Sequence, residues 1–178
     1  EAGAIGPTSE ASNTPGLRVP EIQPDPDVDL PITAIATSQD APRLAIARYG
    51  SILVSDANNQ RRICQIRSGI EKVTSMEFQA GGNQLLVATG VPGAFGQVKV
   101  FEIPSGNLLG EWSGHHDALY AAAFSPDASI IATAGYDREI VLRNVETGDE
   151  LHRLKGHNGA IFDLAFSPDG KVLCSASA

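Results

Sequence analysis

The sequence predicts an all-β fold assembled from repeated four-stranded units. Three observations carry that expectation. Phe124-Ser-Pro-Asp127 returns 42 residues later as Phe166-Ser-Pro-Asp169, and each copy follows a Gly-His pair, Gly114-His115 and Gly156-His157, at the same interval. A fixed period of this size marks a repeat architecture, in which one unit cannot bury its apolar faces without a neighbour. From Ile32 onward, short β-like runs alternate with turn residues, and no 11-residue stretch has a helical period.

Taken in order, residues 1–30 read as an acidic, proline-rich linker. Pro15, Pro20, Pro24 and Pro26 remove ladder donors and fix φ, and the charges of Pro24-Asp25-Pro26-Asp27-Val28-Asp29 repel one another. The stretch reads either as a loose chain end or as a spacer to an upstream domain. Residues 31–178 form the repeats. The first unit, about 31–67, has strands at Ile32–Thr37, Arg43–Ala47, Ser51–Ser55 and Arg61–Ile66. The second, about 68–113, has Val73–Phe78, Gln84–Thr89, Gln97–Glu102 and Asn107–Trp112. The third, about 114–155, has Ala118–Phe124, Ser129–Ala134, Glu139–Asn144 and Glu150–Leu154. A partial fourth, about 156–178, has Ala160–Phe166 and Lys171–Ser175. In Ser125-Pro126-Asp127-Ala128 and Ser167-Pro168-Asp169-Gly170, proline presets the first central φ of a type I turn, while Ser and Asp bond to nearby backbone. Runs such as Ala121–Phe124 and Ile130–Thr133 are apolar throughout, as expected of strands buried on both faces.

The bulk composition narrows the function. Net charge is −8, and residues 1–30 hold six acids against Arg18 alone, so most of the acidity belongs to the linker. A nucleic-acid groove needs clustered Lys and Arg, which are missing, so no nucleic-acid partner is expected. No apolar run approaches the length of a membrane span, and no membrane insertion is expected. Cys64 and Cys174 fall in different units, too far apart for a disulfide, and read as two buried thiols. The chain begins at Glu1 without a signal peptide, which fits a piece of a longer protein.

Gly114-His115, Phe124–Asp127, Ala132-Thr-Ala-Gly135, Asp137, Val145-Glu-Thr-Gly148, Gly156-His157 and Phe166–Gly170 together resemble the WD-repeat (WD40) family. The resemblance spans about residues 31–178 and is strongest in the last two units. It implies a partial WD40 β-propeller of about three and a half four-stranded blades. Such a ring is open, so the resemblance implies continuation past Ala178, to seven blades, with Asp or Asn next in the chain. The pattern's Trp-Asp pair is replaced by Arg143-Asn144 in the third unit and Phe101-Glu102 in the second, and Gly69 or Ile70 stands where the second unit's His would fall. Val91–Gly96 is an insertion, read as an exposed loop. More narrowly, Ala47–Gly50, Gly90–Gly96 and His116–Ala121 look like the WD-repeat segment of large planctomycete-type bacterial proteins, in which a c-type haem domain precedes the propeller. That likeness implies a periplasmic or cell-envelope setting. The haem motif Cys-x-x-Cys-His is not in this sequence, and no cofactor is assigned to the chain.

His115, Thr133 and Asp137 have the residue types of an acid-base-nucleophile set. The WD-repeat resemblance implies instead a structural hydrogen-bond network, with His157 its counterpart in the next unit, and with Arg143 leaving the network altered. His115-His116-Asp117 suggests a metal, but consecutive residues point in different directions. Gly90–Gly96 has neither the helix nor the Lys-Ser/Thr pair of a phosphate loop. Arg61-Arg62 and Arg48 read as ordinary surface bases, and Trp112 as packing between blades. The leading expectation is therefore a non-catalytic protein-interaction scaffold with no metal site. Its candidate contact residues are the loop aromatics Tyr49, Phe95, Tyr120 and Tyr136, since aromatics dominate interface energies. The alternatives are a non-catalytic module of a bacterial envelope redox protein, and a propeller hydrolase.

Overall fold

The structure is a computed structural model and describes residues 30–67 and 71–178. The linker expected over 1–30 lies outside the described residues except for Leu30, and so do Gly69 and Ile70. The described residues form fourteen strands. They are β1 (Ile32–Thr37), β2 (Arg43–Arg48), β3 (Ser51–Asp56), β4 (Arg62–Ile66), β5 (Val73–Phe78), β6 (Gln84–Val91) and β7 (Phe95–Glu102). Then follow β8 (Leu108–His115), β9 (Leu119–Phe124), β10 (Ile130–Gly135), β11 (Glu139–Asn144), β12 (Glu150–Lys155), β13 (Ile161–Phe166) and β14 (Leu173–Ser177). Each sheet is an antiparallel meander: β1–β4, β5–β8, β9–β12 and the pair β13–β14. The opening strands β1, β5, β9 and β13 lie side by side, so the sheets stack like blades around a common inner edge. This is the all-β, partial propeller that the repeats predict.

The apolar runs are explained by where the cores lie. Leu85 and Val87 of β6 enter the core shared with the first sheet, where they meet Ile52 and Val54. Leu86 and Ala88, pointing the other way, enter the core shared with the third sheet, with Leu119, Phe124 and Ile131. β10 divides likewise, Ile131 to one side and Ala132 and Ala134 to the other. A strand between two cores has no solvent face, so the period of two is filled by apolar residues at every position.

The turn chemistry repeats atom by atom. Ser125 Oγ donates to Asp127 Oδ1 at 2.6 Å and accepts from Ile130 N at 3.0 Å. Ser167 Oγ does the same with Asp169 at 2.6 Å and Val172 N at 3.0 Å. The fourth turn residue is left-handed in both, with φ of 56° at Ala128 and 70° at Gly170.

The insertion departs from its expected form. Val91–Gly96 is not an open loop but the tip of a lengthened hairpin, with Gly90 paired to Gly96 and Val91 to Phe95. Ala94 N closes the tip on Val91 O at 3.0 Å, and Gly93, at φ 73°, takes the left-handed position after Pro92 that a type II turn requires. β8 likewise runs past Trp112 to His115.

Candidate functional site

His115 ends β8, the outer strand of the second sheet, but its ring is used by the third sheet. Nδ1 lies 2.8 Å from Asp137 Oδ2, and Nε2 lies 2.9 Å from Thr133 Oγ1. Asp137 stands in the β10–β11 turn and Thr133 in mid-β10, so the three residues join two sheets. The carboxylate is an acceptor, which puts the proton on Nδ1 and leaves Nε2 to accept from the Thr133 hydroxyl. Asp137 also accepts from His116 N at 3.1 Å and Glu139 N at 3.3 Å. His115 is 7% exposed and Thr133 4%. Burial pushes the imidazole below its ordinary pKa, against the opposing pull of the Asp137 carboxylate, so the neutral ring is favoured.

Arg143 stays outside this triad. Its guanidinium donates to Gly148 O at 2.6 Å and Ser113 O at 3.4 Å, which closes the β11–β12 turn and ties it to β8. Arg153 forks onto Glu150 at 2.7 and 2.8 Å and reaches Glu139 at 2.6 Å. Hydrogen bonds from Lys155 and Arg153 hold the Glu139 carboxyl down at about 2. His157 comes just after β12, as His115 closes β8, and it too reaches the next sheet. Its Nε2 is 2.7 Å from Ser175 Oγ and its Nδ1 2.9 Å from Ser177 Oγ. Ser175 thus stands one 42-residue period after Thr133, whereas Ser177 falls one period after Gly135 rather than Asp137.

At His115-His116-Asp117, where consecutive residues are not expected to converge on an ion, the three side chains lie apart. His115 is buried, His116 is exposed, and Asp117 Oδ1 accepts from Gly93 N at 2.8 Å at the tip of the β6–β7 hairpin. Among the described residues, no three His, Cys, Asp or Glu side chains group to hold an ion.

The aromatic candidates divide. Tyr120 contacts Tyr136 edge-on with ring centroids 6.4 Å apart, and contacts Phe162 at 5.3 Å. Tyr49 and Phe95 have no such ring contact with the cluster, although their hairpin tips lie at the same end of the sheets. They were expected on loops, yet Tyr120 lies within β9 and Phe95 opens β7; only Tyr49 and Tyr136 are turn residues. Tyr120 sits at the register break between Gly135↔Leu119 and Ala134↔Ala121, a bulge that turns its ring toward the rim. Phe162 occupies the matching break in β13, is 54% exposed, and was not singled out from the sequence. The signal was available: Tyr120 plus one 42-residue period is Phe162.

Comparison with known proteins agrees with this geometry. Residues 106–144 and 148–178 each match the family model described as WD domain, G-beta repeat. Over 111 residues the chain is 31% identical to an uncharacterized WD repeat-containing protein, sll1491, of the cyanobacterium Synechocystis; the match takes in 61% of this chain and 30% of that protein. The chain therefore spans less than a third of the relative it matches. The two stretches 106–144 and 148–178 are thus similar to WD repeats, which generally serve as protein-interaction modules.

Proposed function

We propose that the chain is a non-catalytic protein-interaction scaffold that meets its partner at the rim bearing Tyr120, Tyr136 and Phe162. The observation that carries this reading is the aromatic cluster itself. Tyr120 contacts both Tyr136 of its own sheet and Phe162 of the next, yet Tyr136 and Phe162 remain 58% and 54% exposed. Aromatics held on two bulged strands and a tight turn offer contact area at little ordering cost. The hydrolase alternative meets a steric objection. A nucleophile must reach its substrate, and Thr133 is buried within β10 with its hydroxyl committed to His115. The test compares proteins retained by the wild-type chain with those retained by Tyr136→Ala and Phe162→Ala chains of unchanged circular dichroism. Loss of the same partner from both variants is expected. Retention of every partner by both would overturn the assignment.

The narrower reading, a module beside an upstream c-type haem domain in a bacterial envelope, draws on the likeness of 47–50, 90–96 and 116–121 alone. Reading the parent gene upstream for Cys-x-x-Cys-His tests it.

A further inference from the structure

A groove of about 380 Å³ opens between the second and third sheets, away from the aromatic rim. Its floor is Trp112 and Val145, both packed on the apolar core between those sheets, and Leu109 forms a wall. Trp112 is seated by two glycines. A Cβ added at Gly110 or at Gly148 would run into the indole. The ring is half-buried and its N–H has no acceptor among the described residues. The rim holds Gln79 and two carboxylates, Asp127 and Glu146, and no lysine or arginine lines the groove. Hydrogen bonds from Ser125 and Ser129 hold Asp127 below the usual carboxylate range.

We propose that this groove binds a lysine or arginine side chain of an extended partner peptide, with the aliphatic stem against Trp112, Leu109 and Val145 and the cationic head between Asp127 and Glu146. The volume lies within the range of built ligand sites. An apolar floor under an acidic mouth matches the two chemistries of one long basic side chain. An indole adds attraction for a cation over its face. The site is separate from the rim of the proposed function and stands without it.

Trp112 is the chain's one tryptophan, so its emission reports on the groove directly. The probe is a blocked Ala-Leu-Arg-Leu-Ala peptide, titrated against the folded chain beside versions with norleucine or glutamate in place of the arginine. Saturable change in emission with the arginine peptide is expected, with norleucine about fivefold weaker and glutamate inactive. Glu146→Gln, at an exposed turn position, weakens the arginine peptide about threefold. Tyr136→Ala leaves binding unchanged. No saturable change with folded protein, equal response to the arginine and norleucine peptides, or loss of binding in Tyr136→Ala would each overturn the proposal.

Discussion

Thr133→Val tests whether the buried triad holds two sheets together. Valine keeps the shape of threonine and removes only the hydroxyl. His115 Nε2, 2.9 Å from that oxygen and inside a residue 7% exposed, would then be a buried acceptor without a donor. An unpaired buried polar atom costs about 1–3 kcal/mol. The added methyl returns up to about 0.8 kcal/mol where it stays dry. The net loss is about 1–2 kcal/mol. With a urea slope of about 1–3 kcal/mol/M for a small protein, the midpoint of unfolding falls by roughly 0.5–1 M. The cycle with His115→Phe isolates the pair, since a benzyl ring leaves Asp137 its two backbone donors, His116 N and Glu139 N. In that background Thr133→Val should be close to neutral, which gives a coupling of about 1 kcal/mol. Equal loss in both backgrounds, or none in the wild type, would refute the claim that the imidazole and the hydroxyl act as a unit.

Further outcomes follow from the same geometry. The imidazole of His115 binds its proton less readily folded than unfolded, where its value is about 6.5. Below about pH 6.5 the unfolded chain holds the extra proton, so this residue's contribution is complete above that value and is lost as pH falls toward the folded pKa. Urea midpoints measured from about pH 7.5 to about 5.5 should fall in the wild type and fall less in His115→Phe. Ala128 holds φ 56° where the next copy has Gly170 at 70°. Ala128→Gly should therefore be neutral or stabilising by up to about 0.5 kcal/mol, and Gly170→Ala should destabilise by about 1 kcal/mol, read as opposite shifts in Tm. Burial pushes the Cys64 thiol up, while Cys174 is exposed. A thiol reagent at about pH 8 should label Cys174 first, and Cys174→Ser should leave one slow phase.

Most strands were legible because each turn announces its own chemistry. Ser-Pro-Asp fixes a turn from three residue types, and the apolar runs between turns have one explanation when sheets stack on both sides. Val91–Gly96 was misread because Gly90, Gly93 and Gly96 resemble breaks. Only Gly93 turns the chain at this tip. At Gly90 a Cβ would lie 2.6 Å from Phe95 O and 2.8 Å from Ala118 Cα, so the glycine marks a strand passed closely by the β8–β9 segment. Such approaches depend on which segments meet in space, and the local pattern does not encode that. The His115–Thr133–Asp137 contact could be expected from family resemblance. Glu77 could not be found in this way: its carboxylate accepts from Phe124 N at 2.7 Å across the sheet boundary, and a bond to backbone leaves no signature in the partner's side chain. Phe162 was visible through the period alone, because its contact with Tyr120 arises only when two copies stand side by side.

The frame of the sequence repeat differs from that of the sheet, and this offset binds the copies together. The matched stretch 106–144 enters through β8 of the second sheet and ends with β11 of the third, and 148–178 enters through β12 and ends with β14. Each stretch therefore contains both ends of one tie: His115 with Thr133 and Asp137, then His157 with Ser175 and Ser177. A sheet taken alone contains half of each. Arg43 extends the principle to the first pair of sheets, donating to Gly82 O and to Asn83 Oδ1 at 3.3 Å from β2. In such an array, free energy resides in the interfaces between neighbours as much as within the units. A polar group lost at one boundary weakens both sheets it joins, and a change confined to the outer face of one strand stays local.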